Sequence, residues 1–146
     1  MNRPTASCTL APRRNTGISA ASQLIACVDD DASVREAISG LLRSFGHATA
    51  TFSSAEALLK YEQLDLVACL IADVRLGGMS GLQLQKELIS MGHSIPTIIV
   101  TAFSENGYRA QALKAGALEF LSKPISSERL LAAVETALSG KGPGAA

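Results

Sequence analysis

The feature that most constrains this chain is an alternation. Short, unbroken apolar runs, each stopping at polar residues, are separated by segments whose apolar residues recur with helical period. Leu24-Ile25-Ala26-Cys27-Val28 is such a run, and it stops at Asp29, Asp30 and Asp31. A strand covered on both faces reads this way, because successive side chains point to opposite sides and both sides are dry. Further runs span Leu66–Ala72, ending at Asp73, and Ile95–Val100, ending at Thr101. Leu118–Leu121 stops just short of Lys123-Pro124, and a weaker run covers Ala48–Phe52.

The intervening segments predict helices. Val34, Ile38, Leu41, Leu42 and Phe45 fall on one face, with Ser33 and Glu36 spaced as a capping box and Gly46 as a stop. Ser53 and Glu56 predict a second box, opening a helix through Tyr61, and Ser80 and Gln83 a third, opening one through Ser90. A helix carrying Ala110, Leu113 and Lys114 runs to Gly116, and a last one carries Leu130, Leu131, Val134 and Leu138. Five strand–helix pairs in succession predict an α/β fold, a doubly wound parallel sheet with helices on both faces. Strand order 2-1-3-4-5 is one of two common arrangements, and periodicity does not choose between them.

The 146 residues suit one domain, at 47% hydrophobic and 18% charged. Thirteen acids balance thirteen bases, so the chain as a whole carries no electrostatic mark of nucleic-acid or membrane binding. The local cluster Asp29-Asp30-Asp31 therefore says more than the total. Cys8, Cys27 and Cys69 form no CxxC pair, and the last two, inside apolar runs, read as reduced core thiols. No apolar stretch approaches the ~20 residues that span a bilayer. Residues 1–22 lack both periodicity and a secretory core, and Gly140–Ala146 cannot continue a helix, so we expect disordered tails around a domain at 23–140, in the cytoplasm.

In a parallel sheet with right-handed crossovers, the strands' carboxyl ends lie side by side. Asp29, Asp30, Asp73, Thr101 and Lys123 all stand at such ends, so they are expected to converge on one crevice. Crowded carboxylates repel, a divalent cation relieves that repulsion, and hard oxygen donors suit magnesium. Asp31 is expected instead to cap the next helix. A carboxylate beside such an ion can attack a phosphoryl group in line, while an ammonium and a hydroxyl stabilise its equatorial oxygens. Asp73 is the expected nucleophile, since it follows an apolar strand and precedes the loop Leu76-Gly77-Gly78.

VDDDASVREAISGLL, DVRLGGMSGLQL and ALKAGALEFLSKP resemble the opening, phosphorylation loop and closing segment of response-regulator receiver domains, those of FixJ-type regulators especially. The resemblance spans about residues 23–140 and implies the flavodoxin-like (CheY-like) fold with order 2-1-3-4-5 and five helices. It implies Asp73 as phosphoacceptor, Asp30 as a direct magnesium ligand, Asp29 as one acting mainly through water, and the backbone carbonyl of Arg75 as another. Thr101 and Lys123 would bind phosphoryl oxygens, and Phe120 would be the aromatic that turns inward as Thr101 moves. The implied donor is a sensor histidine kinase or phosphotransfer protein, with small acyl phosphates as substitutes. The implied role is a two-component switch, not a dedicated enzyme beyond its own phosphorylation and dephosphorylation.

Two residues depart from the family's pattern. Gly77 stands where a proline is usual, which loosens the loop after Asp73. Phe103 is large for its position, and it is expected either to shield the phosphoryl group from water together with Arg75 or simply to pack over the surface of the fourth helix. His47 and His93 lie away from the strand ends and are expected to be exposed or locally bonded. FixJ-type receivers normally precede a DNA-binding domain; with a Gly/Pro-rich tail after Gly140 the expectation is a stand-alone switch, the alternative being a truncated regulator whose tail is a linker remnant. As a stand-alone switch its output would be a protein contact, a relay to another histidine or competition for a kinase; in the family the surface of the fourth helix, fifth strand and fifth helix often contacts a downstream protein or a second copy, as in a phosphorylation-dependent homodimer. Two other readings are a magnesium-dependent phosphohydrolase and an interaction module that is never phosphorylated. The former typically needs an acid where this chain has Arg75.

Overall fold

The computed structural model describes residues 23–76, 78–102 and 108–139. The expected tails, Gly77 and Phe103 lie outside the described residues.

Strand β1 (Leu24–Val28) is followed by α1 (Ala32–Ser44), β2 (Ala48–Phe52) and α2 (Ala55–Leu59). A single 3-10 turn (Leu64–Leu66) leads into β3 (Val67–Ala72), then α3 (Gly81–Ser90) and β4 (Thr97–Thr101). The chain continues through α4 (Tyr108–Lys114), β5 (Glu119–Ser122) and α5 (Ser127–Leu138). The five strands form one sheet in the order β2-β1-β3-β4-β5, with every neighbouring pair parallel.

The continuous apolar runs are explained by the two cores they feed. Ala26 and Val28 of β1, with Leu70 and Ala72 of β3, pack beneath α2, α3 and α4 through Leu58, Leu84, Leu88 and Ala112. Their neighbours Ile25, Cys27, Cys69 and Ile71 face the other way, against Ile38 and Leu42 of α1 and Leu130 and Val134 of α5. Each fully buried aliphatic side chain contributes about 1.5–3 kcal/mol, so neither face of the central strands tolerates a polar residue cheaply. β2 lies at the sheet's edge and is only partly covered, which is why its sequence ATATF gives the weakest strand signal.

Asp31 caps α1 as expected, by accepting the Ser33 N–H, which leaves Ser33 inside the helix and not at the head of the capping box read there. Two other local expectations are corrected. Ser54, not Ser53, caps α2 by accepting the Ala57 N–H, and that helix ends at Leu59 rather than Tyr61. Phe45 continues the expected apolar stripe but is 60% exposed, standing just past the last helical residue, Ser44, as the helix's C-cap. The third box forms as its spacing predicts, with Ser80 and Gln83 each accepting the other's backbone N–H.

Cys27 and Cys69 are free and buried. Burial pushes both thiols up to about 12, and for Cys27 the nearby Asp29 charge adds to the rise. Among the described residues, no helix is long and apolar enough to cross a membrane.

Candidate functional site

Where the apolar runs of β1, β3 and β5 stop, three of the expected residues meet. The Lys123 ammonium lies 3.0 Å from Asp29 Oδ2 and 2.7 Å from Asp73 Oδ2. Asp29 is 3% and Asp73 6% exposed, so two carboxylates buried at neighbouring strand ends share one partly buried cation.

Each carboxylate is also held by its own backbone. Asp29 Oδ1 accepts the Asp31 N–H at 2.9 Å, and Asp73 Oδ1 accepts the Arg75 N–H at 3.0 Å. The sheet fixes their main chains, for the Asp29 N–H donates to Phe52 O and the Asp73 N–H to Val28 O. Lys123 follows β5 and is placed by its own N–H, which donates to Thr101 O at 2.8 Å across the β4–β5 pair. Its peptide bond to Pro124 is cis.

The charges respond as such packing requires. Burial holds the Asp29 carboxyl above the ordinary aspartate range, outweighing the Asp31 N–H and the Lys123 ammonium, which pull it down. For Lys123, burial pulls the ammonium down, but hydrogen bonds to Asp73 and Asp29 and their negative charges win, so its pKa is raised.

The other expected residues stand around this trio. Asp30 is next to Asp29 and exposed, and Asp31 is the cap of α1. Thr101 closes β4 and is wholly buried. Arg75 is exposed, with its backbone N–H held by Asp73. Phe120 is 1% exposed in the core under α4, where Arg109 donates to its carbonyl at 3.1 Å and lies 5.9 Å over its ring. His47 is half-buried, its backbone N–H donating to Leu42 O, and His93 lies 3.7 Å from Asp65, both away from the strand ends.

Among the described residues, no three acidic, histidine or cysteine side chains gather as a ready metal cluster. The cation that offsets the repulsion between Asp29 and Asp73 in this arrangement is Lys123 itself. The donors nonetheless fit magnesium in kind: the Asp29, Asp30 and Asp73 carboxylates and the Arg75 carbonyl are all hard oxygens.

Three supporting residues escaped the sequence reading. Gly81, the first residue of α3, is pressed so closely on Asp73 that a Cβ there would run into the Asp73 carbonyl oxygen. A glycine directly after a capping serine was the available signal. Glu56, expected in a capping box, instead reaches from α2 to accept the Met79 N–H at 3.3 Å, and its Oε2 lies 3.0 Å from where a Cβ of Gly78 would stand. Arg35 of α1 donates to the Asp29 carbonyl at 2.6 Å. Nothing in apolar periodicity marks either charged residue.

Comparison with known proteins converges on one family. The family described as response regulator receiver domain matches residues 25–135. Response regulator protein TmoT of Ectopseudomonas mendocina is 44% identical over 115 residues, covering 79% of this chain and 52% of that protein. The structure of the response regulator StyR superposes with a TM-score of 0.75 at 40% identity, covering 80% of this chain and 59% of that one. The crystal structure of FixJ-N does so at 0.73 and 31% identity, covering 80% and 94%. The chain spans about half the length of the curated relatives it matches.

Proposed function

This chain belongs to the response regulator receiver domain family, and from that premise we propose that it is the phosphoacceptor of a two-component relay, with Asp73 as the residue that is phosphorylated. The observation that carries this reading is the Lys123 ammonium shared between the buried carboxylates of Asp29 and Asp73 at the ends of β1 and β3.

Asp73 attacks the phosphorus of a phosphohistidine on a sensor kinase or phosphotransfer protein. A P–O bond forms as the P–N bond breaks, and the imidazole leaves. Lys123, already 2.7 Å from the attacking carboxylate, needs only a small shift to pair with a phosphoryl oxygen. Thr101, at the end of the adjacent strand and tied by its carbonyl to the Lys123 N–H, takes a second oxygen. Asp29 and Asp30, with Asp73 and the Arg75 carbonyl, would hold the magnesium ion, which supplies positive charge to the transferring group. Preorganisation supports this assignment: the carboxylates are fixed by backbone N–H groups before any substrate arrives, so little reorganisation is needed during transfer.

The modified Asp73 draws Thr101 toward it, and Phe120 in the core beneath α4 follows. The population of a surface on α4, β5 and α5 shifts, and a downstream protein or a second copy reads it. The domain works in the cytoplasm, and its only chemistry is the gain and loss of its own phosphoryl group.

Incubation with magnesium and a small acyl phosphate, followed by intact-mass measurement, tests the assignment. One phosphoryl adduct is expected, absent from Asp73→Asn. Failure to gain any adduct, together with failure to bind beryllofluoride, would overturn it in favour of an interaction module that is never phosphorylated.

A further inference from the structure

Arg35 is the fourth residue of α1, where the helix dipole disfavours a cation by about 0.3–1 kcal/mol. The Asp31 carboxylate that caps the helix offsets this cost, and the guanidinium is held in a definite place: Nη1 donates to the Asp29 carbonyl at 2.6 Å.

That carbonyl needs a donor. The pairings of β1 with β2 and β3 end at Val28, so the Asp29 C=O lies one residue past the ladder, in a residue that is 3% exposed. The bond also has a directional consequence. A carbonyl oxygen and the next residue's nitrogen share one rigid plane, so fixing the Asp29 oxygen fixes the peptide that leads into Asp30. The Asp29 side chain is already held by the Asp31 N–H and Lys123. Arg35 completes the restraint on the main-chain side, and the exposed Asp30 carboxylate is aimed by the backbone that carries it.

We propose that Arg35 is a positioning residue for the acidic pair. Through the Asp29 carbonyl it orients the Asp29–Asp30 peptide and thereby sets the affinity of the crevice for a divalent cation. This rests on the magnesium reading given above.

Electrostatics makes the idea testable by sign. A guanidinium repels a dication, so if Arg35 acted only through its charge, removing it would tighten magnesium binding. A positioning role predicts the opposite. Magnesium is titrated calorimetrically into the full chain and into Arg35→Gln and Arg35→Lys, with no phosphoryl donor present. Affinity is expected to fall about 10-fold in Arg35→Gln, in the range seen when outer-shell partners of a metal site are removed. Arg35→Lys, which keeps the charge but not the fork, should also bind more weakly. Faster amide hydrogen exchange at Asp30 and Asp31 in metal-free Arg35→Gln is the accompanying signature. Unchanged or tighter binding by folded Arg35→Gln overturns the proposal. A wild-type chain that binds no magnesium overturns the magnesium reading and this inference with it, a result distinct from wild-type binding that the variants share.

Discussion

The two loops that carry the paired aspartates solve the same problem differently. After β1, only Asp29, Asp30 and Asp31 separate strand from helix, and the segment restrains itself. Asp31 donates to one carboxylate and caps the helix with its own, while Arg35 holds the carbonyl. After β3, the path from Asp73 to Ser80 is longer; the Arg75 N–H holds the Asp73 carboxylate as the Asp31 N–H holds that of Asp29, but the rest leans on the start of α3 and on another helix. Gly81 abuts the Asp73 carbonyl, its N–H donates to Val74 O, and Glu56 reaches over from another helix to Met79. The short loop is built to keep carboxylates still. The longer one carries the group that would be modified, and its geometry depends on contacts that substitutions elsewhere can remove.

The largest expected effect breaks the second loop at its tightest point. Gly81→Ala puts a methyl group into the Asp73 carbonyl, so backbone must move; about 2–4 kcal/mol of stability should be lost on urea unfolding, and acyl-phosphate labelling of Asp73 should collapse. Full labelling with native stability would mean that the loop gives way without cost and that the contrast between the loops is overstated.

Lys123→Ala comes next, since it leaves two buried carboxylates facing each other with no cation between them. Metal-free stability should fall by about 2 kcal/mol at neutral pH, with magnesium restoring part of it. The sign of the pH dependence follows from the raised Lys123 pKa. The stabilisation is fully present below the ordinary lysine value of 10.5 and is lost as pH rises through the higher folded value, so wild type and Lys123→Ala should converge in strong alkali. Chemical denaturation across that range checks it.

Asp29→Asn sharpens the other side of the comparison. Burial raises the Asp29 pKa, so its ionised form is a net cost to the fold at neutral pH. The metal-free variant should be more stable than wild type by about 1 kcal/mol while binding magnesium less well, the exchange of stability for function expected at a crowded acidic site. A group with a raised pKa stabilises only when protonated. The gap between the two proteins should therefore close as pH falls through the folded value toward 3.8, which thermal melts at stepped pH would register.

The smallest effect concerns Glu56. Glu56→Ala should cost about 0.5–1 kcal/mol and speed exchange of the Met79 amide. Gly78→Ala, which crowds the Glu56 carboxylate, should have a similar effect alone and add little to Glu56→Ala. Additive costs would show that the two residues do not act on the loop together.

Much of this was legible in the sequence, for identifiable reasons. β1 begins and ends where its apolar run does, because a buried strand has no polar residue to spare, while the partly covered edge strand β2 was legible only as a weaker run. The convergence of Asp29, Asp73 and Lys123 followed from parallel topology alone, for side chains at strand ends have only one crevice to enter. Caps were less legible. Asp31 and Ser33 both read as caps of the same helix and only Asp31 is one, while Ser54 caps where Ser53 had the suitable spacing; such local competition is decided by backbone angles that no spacing encodes. Gly81, Arg35 and Glu56 were missed because each acts on the backbone of a residue remote in sequence or in the preceding loop.

The two cysteines at the centre of the sheet carry a practical consequence. With their thiols pushed up to about 12 and shut away from solvent, Cys27 and Cys69 present almost no thiolate to an oxidant or an alkylating reagent while the fold is intact. Among the described residues, no thiol is thereby left open to the redox state around the fold. The same insulation turns both residues into internal clocks: any label they acquire in native buffer counts the moments when the middle of the molecule comes apart.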